Sequence, residues 1–143
     1  MLFRAYFDCG SKDTKGGTEM KQKFLICHHC GNLVAMLRDK GVPIYCCGEE
    51  MKELLPGTTE ASEEKHIPVY CVDGSTVHVS VGSAEHPMTE EHYIEWICLE
   101  TEHGIRYAHL KPHDKPMAKF VLSEGDEVRG VYAFCNQHDL WRK

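Results

Sequence analysis

The sequence predicts a mainly β protein in two parts: a small metal-stapled N-terminal module, then an antiparallel β-sandwich of about 80 residues. Three observations carry this. Cys27-His28-His29-Cys30-Gly31 and Cys46-Cys47-Gly48 gather four thiols into one short stretch. Downstream, short segments rich in strand-forming residues alternate with turn residues, and no long helical period appears. A length of 143 residues suits a small module joined to a larger one.

Residues 1–20 carry Gly10, Gly16 and Gly17 in a mixed-charge run without period, which reads as a flexible extension bearing one thiol, Cys9. Phe24-Leu25-Ile26 then leads into the first cysteine pair, so 21–57 is the metal-binding module. A C-x2-C knuckle followed by glycine lets two thiolates grip one ion, because the turn aims backbone amides at the sulfurs. The second pair is contiguous. Adjacent side chains on an extended strand point to opposite faces, so both can bind one ion only through a local bend. On spacing alone an ordinary structural zinc knuckle remains open. His28 and His29 read as solvated loop residues.

Leu54 to Glu63, with Pro56, Gly57 and small polar residues, marks the boundary, and 58–143 is the sandwich. Val77-His78-Val79-Ser80-Val81 alternates apolar and polar residues, as do parts of Tyr93 to Leu99. Lys119 to Leu122 and Val131 to Phe134 are rich in strand formers. Asp73-Gly74, His103-Gly104, Pro112-His113-Asp114 and Glu124-Gly125-Asp126 supply the turns. Cys71 and Cys98 fall in or beside these strands and read as small buried hydrophobes.

Net charge is −6 and no basic block occurs, which argues against general attraction to nucleic acid. No apolar run reaches the roughly 18 residues of a membrane span. Arg4 and Asp8 interrupt the opening apolar residues before an export signal can form, so a cytoplasmic protein is expected. Eight cysteines there are expected to be reduced, buried or metal-binding, and ten histidines add to the metal reading.

In the sandwich, candidate ligands are His66, His86, His92 and His138 with Cys135. Cys135-Asn136-Gln137-His138 can close a thiolate and an imidazole onto one cation. Pro87 holds His86 in extended geometry, and His92 follows six residues later in a loop spacing. Taken singly, each histidine reads as a surface or core residue rather than a ligand; together with the terminal Cys-x-x-His they read as a ligand set. His78, His103, His109 and His113 lack such context and read as solvated or packing residues.

Glu-Lys-His-Ile-Pro at 64–68, His-Pro-Met at 86–88, His-Tyr-Ile-Glu-Trp at 92–96, Leu-Lys-Pro at 110–112 and Cys-Asn-x-His at 135–138 together resemble the superoxide reductases. With Cys27, Cys30, Cys46 and Cys47 ahead of them, residues 21–143 resemble the two-iron form, desulfoferrodoxin. The resemblance implies a desulforedoxin-like module with one tetrahedral iron on those four cysteines. It also implies an immunoglobulin-like sandwich holding a second iron, with His66, His86, His92 and His138 in a plane and Cys135 on the axis. The implied activity is one-electron reduction of superoxide to hydrogen peroxide without dioxygen production. Lys65 would attract the anion, and Glu64 would take the sixth position of the ferric ion. A rubredoxin-like electron donor and a homodimer are implied likewise. The family usually has glycine after the last histidine, where this chain has Asp139; aspartate tolerates left-handed backbone better than most residues.

Two other readings compete. A non-catalytic metal-binding adaptor would combine a zinc module with incidental histidines, and a one-electron carrier would cycle both irons without oxygen chemistry. Without the resemblance, Glu64 and Lys65 read as a solvated charge pair.

Overall fold

The computed structural model describes residues 21–143. The expected extension over 1–20, with Cys9, lies outside the described residues. The N-terminal module is built from β1 (Lys23–Ile26), β2 (Leu33–Met36), β3 (Tyr45–Cys46), β4 (Glu49–Glu50) and β5 (Lys52–Glu53). β1 lies between β2 and β5, antiparallel to both, and β3 pairs with β4 in a separate hairpin. Leu25, Cys27 and Met51 form its own small core.

A single helical turn, α1 (Glu63–His66), opens the larger part. Acidic Glu63 and Glu64 lie at its start and the Lys65 ammonium in its last turn, which suits the helix dipole. Ile67 precedes Pro68 and is extended, so the turn stops there. The sequence pattern does not predict a helix here, because one turn is too short to leave a period.

The sandwich comprises β6 (Pro68–Asp73), β7 (Thr76–Val81), β8 (Ile94–Thr101), β9 (Gly104–His109), β10 (Met117–Val121), β11 (Val128–Cys135) and β12 (Asp139–Arg142). A three-stranded sheet in the order β10-β7-β6 faces a four-stranded sheet in the order β12-β11-β8-β9, every pair antiparallel. The expected mainly β architecture, a small module followed by an immunoglobulin-like antiparallel sandwich, is therefore present. Val77, Val79 and Val81 of β7, Phe120 of β10, Ile97 and Leu99 of β8 and Val131 and Ala133 of β11 fill the space between the sheets.

β7 alternates in burial as its sequence does. β8 does not: almost every residue is buried, because the outer face of the four-stranded sheet is covered as well. Phe24 of β1, 1% exposed, packs there with Leu54 against Trp96, Cys98, Tyr132 and Phe134. Its ring centroid is 5.2 Å from Trp96 and 5.3 Å from Tyr132. Burying such a ring stabilises the junction by about 2–3 kcal/mol. Beside it the buried Glu100 accepts the Gln22 N–H at 2.9 Å and the Tyr132 hydroxyl at 2.8 Å, so the buried carboxylate is paired from both parts of the chain.

Cys98 is buried as expected. Cys71 departs from expectation: it is half-buried on β6, a sheet edge, and is disulfide-bonded rather than a free buried thiol.

Candidate metal centres

The four sulfurs of Cys27, Cys30, Cys46 and Cys47 all lie within 4.8 Å of one another. Cys27 follows β1, and Cys30 closes the knuckle through the Gly31 N–H, which donates to the Cys27 carbonyl at 2.9 Å. The bend required of the contiguous pair is present. Cys47 has φ +54° and Gly48 φ +76°, two successive left-handed residues that fold the β3–β4 hairpin back and bring both sulfurs to one side. The Cys30 and Cys46 sulfurs are 3.6 Å apart, and Asn32 donates its backbone N–H to the first and its Nδ2 to the second.

The N–H groups of Cys30 and then His29, aimed at Cys27, hold its thiol down at about 6 against the cost of desolvation. Once one thiolate forms, the others are opposed: interaction with Cys30 pushes Cys47 up to about 12. Four thiolates at this spacing need a cation between them. His28 and His29 are exposed, as expected for loop residues.

The second cluster forms at one end of the sandwich. His66 ends α1, His86 and His92 lie on the loop between β7 and β8, Cys135 ends β11, and His138 lies in the turn to β12. One ligand atom each from His66, His86, His92 and Cys135 falls within 4.8 Å of the rest. His138 joins through Nδ1, 3.1 Å from His66 Nε2 and 3.8 Å from the Cys135 sulfur. The span of three residues from Cys135 favours the nearer ring nitrogen.

The rings follow one another in a cycle. Centroids are 4.6 Å apart for His66 and His86, 4.7 Å for His86 and His92, 5.0 Å for His92 and His138, and 4.8 Å for His138 and His66. Neighbours are roughly perpendicular, while His66 and His92, across the cycle, are 6.3 Å apart and nearly parallel. This is a four-cornered array.

Protonation decides whether a metal fits it. His66 Nδ1 donates to the Ser62 carbonyl at 2.7 Å and His86 Nδ1 to the Pro87 carbonyl at 2.6 Å; carbonyls only accept, so in each neutral ring Nε2 is left with its lone pair. Those two Nε2 atoms are 3.1 Å apart. Two lone pairs cannot share a hydrogen bond, and a cation between them resolves the contact. Burial lowers His86 to about 4 and also lowers His66, which keeps both rings neutral and ligating. His92 Nε2 is buried with no hydrogen-bond partner, as a metal-facing nitrogen would be. Cys135 is fully buried; burial raises its thiol, opposed by the N–H groups of Gln137 and His138 aimed at its sulfur. Three imidazole Nε2 groups, one Nδ1 and one sulfur form a mixed set suited to iron, and the all-sulfur cage suits iron or zinc.

Glu64 and Lys65 are exposed on the turn that carries His66. The Lys65 ammonium contributes to lowering both His66 and His92, so its field reaches the ring cluster. Among the described residues, His78, His103, His109 and His113 enter neither cluster. His103 is 3.1 Å from Asp126 and His113 3.4 Å from Glu90, both at the surface.

Two supporting residues, Trp141 and Thr59, were not visible in the sequence. Trp141 stacks on His66 at 4.9 Å and donates its Nε1–H to the His138 carbonyl at 2.9 Å, gripping two ligands. The Thr59 hydroxyl donates to the Asp139 carboxylate at 3.2 Å, and Asp139 adopts φ +59°, so the turn after His138 keeps the left-handed form that a glycine would take. The left-handed turn at Asp139 is as the sequence led one to expect, whereas for Trp141 and Thr59 the sequence carried no signal.

Residues 58–143 match the desulfoferrodoxin family. The chain belongs to the desulfoferrodoxin family. It is 41% identical over 126 residues to a desulfoferrodoxin homologue of Archaeoglobus fulgidus, covering 87% of this chain and 98% of that one. It is 43% identical over 117 residues to the desulfoferrodoxin of Nitratidesulfovibrio vulgaris, covering 81% and 90%. Among solved structures, the superoxide reductase from Treponema pallidum is similar with TM-score 0.73 and 39% identity, over 86% of this chain and 98% of that one.

Proposed function

We propose that this protein is a superoxide reductase with two irons per chain. The single observation that carries the proposal is the cyclic array of His66, His86, His92 and His138 with the buried Cys135 sulfur beside it, His66 being carried on the same turn as the exposed Glu64 and Lys65. When bound there, ferrous iron supplies the electron that, with two protons from solvent, converts superoxide to hydrogen peroxide, and thiolate donation favours product release over splitting of the O–O bond.

The chain's own residues prepare that chemistry. Ser62 and Pro87 carbonyls hold the His66 and His86 protons on Nδ1 and leave Nε2 free. The Gln137 and His138 N–H groups stabilise Cys135 as thiolate against its burial. Lys65 supplies a local positive charge to draw in a small anion despite the net charge of −6. Glu64, next to it in sequence, would serve as a further carboxylate ligand to the oxidised iron, a role supported by its exposed place on the turn that carries His66.

The four-cysteine cage holds the other iron within a module spanning 21–57, and 58–143 is the catalytic domain. Support for this division comes from the separate small core of Leu25, Cys27 and Met51 and from the family match beginning at residue 58. A cytoplasmic location, a homodimer and a rubredoxin-like donor are part of the same proposal and rest on the resemblance in sequence; separately, no described helix is long and apolar enough to cross a membrane.

Iron content with an absorption spectrum tests the metal assignment: two irons and two distinct chromophores are expected. Reduced protein given superoxide should form peroxide and evolve no dioxygen. Colourless zinc-bearing protein would point to the adaptor, and two irons without superoxide consumption to the electron carrier.

A further inference from the structure

His92 is held differently from the ligands around it. His66 and His86 are oriented by ring hydrogen bonds to carbonyls. Among the described residues no hydrogen bond orients the His92 ring, and its Nε2 is buried and unpartnered. Its position is therefore inherited from its backbone, and that backbone is gripped on both sides.

On one side lies Thr89, whose N–H donates to the His92 carbonyl at 2.9 Å and whose hydroxyl oxygen accepts the His92 N–H at 3.1 Å. On the other lies Asn136. Its Oδ1 accepts the Tyr93 N–H at 3.0 Å, its Nδ2 donates to the Glu91 carbonyl at 3.0 Å, and its own N–H donates to the Tyr93 carbonyl at 3.2 Å. The residues before and after His92 are thus tied to one side chain. Regular pairing of β11 with β8 breaks between Phe134 and Cys135, and the Asn136 amide continues it where the ladder stops.

We infer that Asn136 is a positioning residue that fixes His92 relative to Cys135 and His138, so that three of the five ligands move as one unit. Only a primary amide of this length offers an acceptor and a donor spaced like a peptide group. Aspartate keeps the acceptor for Tyr93 but loses the donor to Glu91. The inference rests on the metal reading given above for the histidine cluster.

The test uses the full chain loaded with ferrous iron, wild type against Asn136→Ala and Asn136→Asp. Iron at the histidine site is followed by its own absorption band during competition with a chelator, with the four-cysteine band as internal reference. Hydrogen exchange of the Tyr93 amide is measured in the metal-free protein. Asn136→Ala is expected to weaken iron at the histidine site by about tenfold or more, shift its band, leave the four-cysteine band in place and speed Tyr93 exchange. Asn136→Asp should keep Tyr93 protected while losing part of the affinity. Wild-type affinity, band and Tyr93 exchange in Asn136→Ala overturn the inference; where that variant fails to fold, an Asn136→Asp protein with wild-type affinity and band does the same. A wild-type chain that takes iron only at the cysteines overturns the proposed function instead, and Tyr93 exchange then decides on Asn136 alone.

Discussion

Gly82 lies directly against the Glu64 main chain: a β-carbon at position 82 would stand 2.7 Å from the Glu64 carbonyl oxygen and equally close to that of Lys65. The two segments are joined as well as touching. The Gly82 N–H donates to the Ile67 carbonyl and the Ala84 N–H to the Glu64 carbonyl, each at 3.0 Å. The turn that carries Glu64, Lys65 and His66 therefore rests on a bed that admits no side chain.

Gly82→Ala should cost about 2–4 kcal/mol of stability, from its φ of +83° and from contact with three carbonyl oxygens at once. Urea unfolding checks the magnitude. A variant as stable as wild type would show that the turn can lift freely.

Lys65→Ala should slow superoxide capture by about tenfold, through loss of local attraction, and flatten the dependence of the second-order rate on ionic strength. Rates for the reduced protein over a range of salt concentrations measure both. An unchanged rate with an unchanged salt slope removes Lys65 from the reaction.

Glu64→Ala should not slow capture, because the exposed carboxylate supplies no attraction for an anion. What changes is the resting oxidised protein, whose ferric absorption should differ once the carboxylate is gone. Identical spectra would rule out Glu64 at the sixth position.

Burial, with the Glu100 carboxylate adding to it, pushes the Cys98 thiol up to about 12 from an ordinary 9.0. A raised pKa in the fold means that the protonated thiol is the stabilised form. Its contribution to stability is complete below pH 9 and is lost as pH climbs from there towards 12. At pH 8, Cys98 should resist alkylation in the native protein and react after unfolding, as peptide mass mapping will show.

Asp139 occupies φ +59° and accepts the Thr59 hydroxyl. Asp139→Gly removes backbone strain and one hydrogen bond together, so stability should change by no more than about 1 kcal/mol. Asp139→Val adds a branched side chain in left-handed backbone and should cost about 2 kcal/mol or more, with a shifted histidine-site spectrum because His138 precedes it. Equal stability of the two variants would refute the strain argument.

The ligand sets were legible because ligation depends on short covalent spacings and residue chemistry. Cys27-x-x-Cys30, Cys46-Cys47 and Cys135-x-x-His138 announce donors within a turn of one another, and the structure brings each set together. β7 was legible too, since one face meets the core and the other does not. β8 was harder to read. Its outer face is buried by Phe24 and Leu54 from another part of the chain, a contact that leaves no period in β8 itself.

By itself, then, the sequence determined the two donor sets, the β class and the order of the two parts, all properties of local spacing and pattern. Only the tertiary structure decided how the donors are held. The Nδ1 bonds of His66 and His86, the Trp141 ring on His66, the Gly82 bed and the Asn136 clamp all join residues distant in sequence or depend on backbone direction. Side-chain identity does not encode such contacts, because they exist only once the sheets have packed.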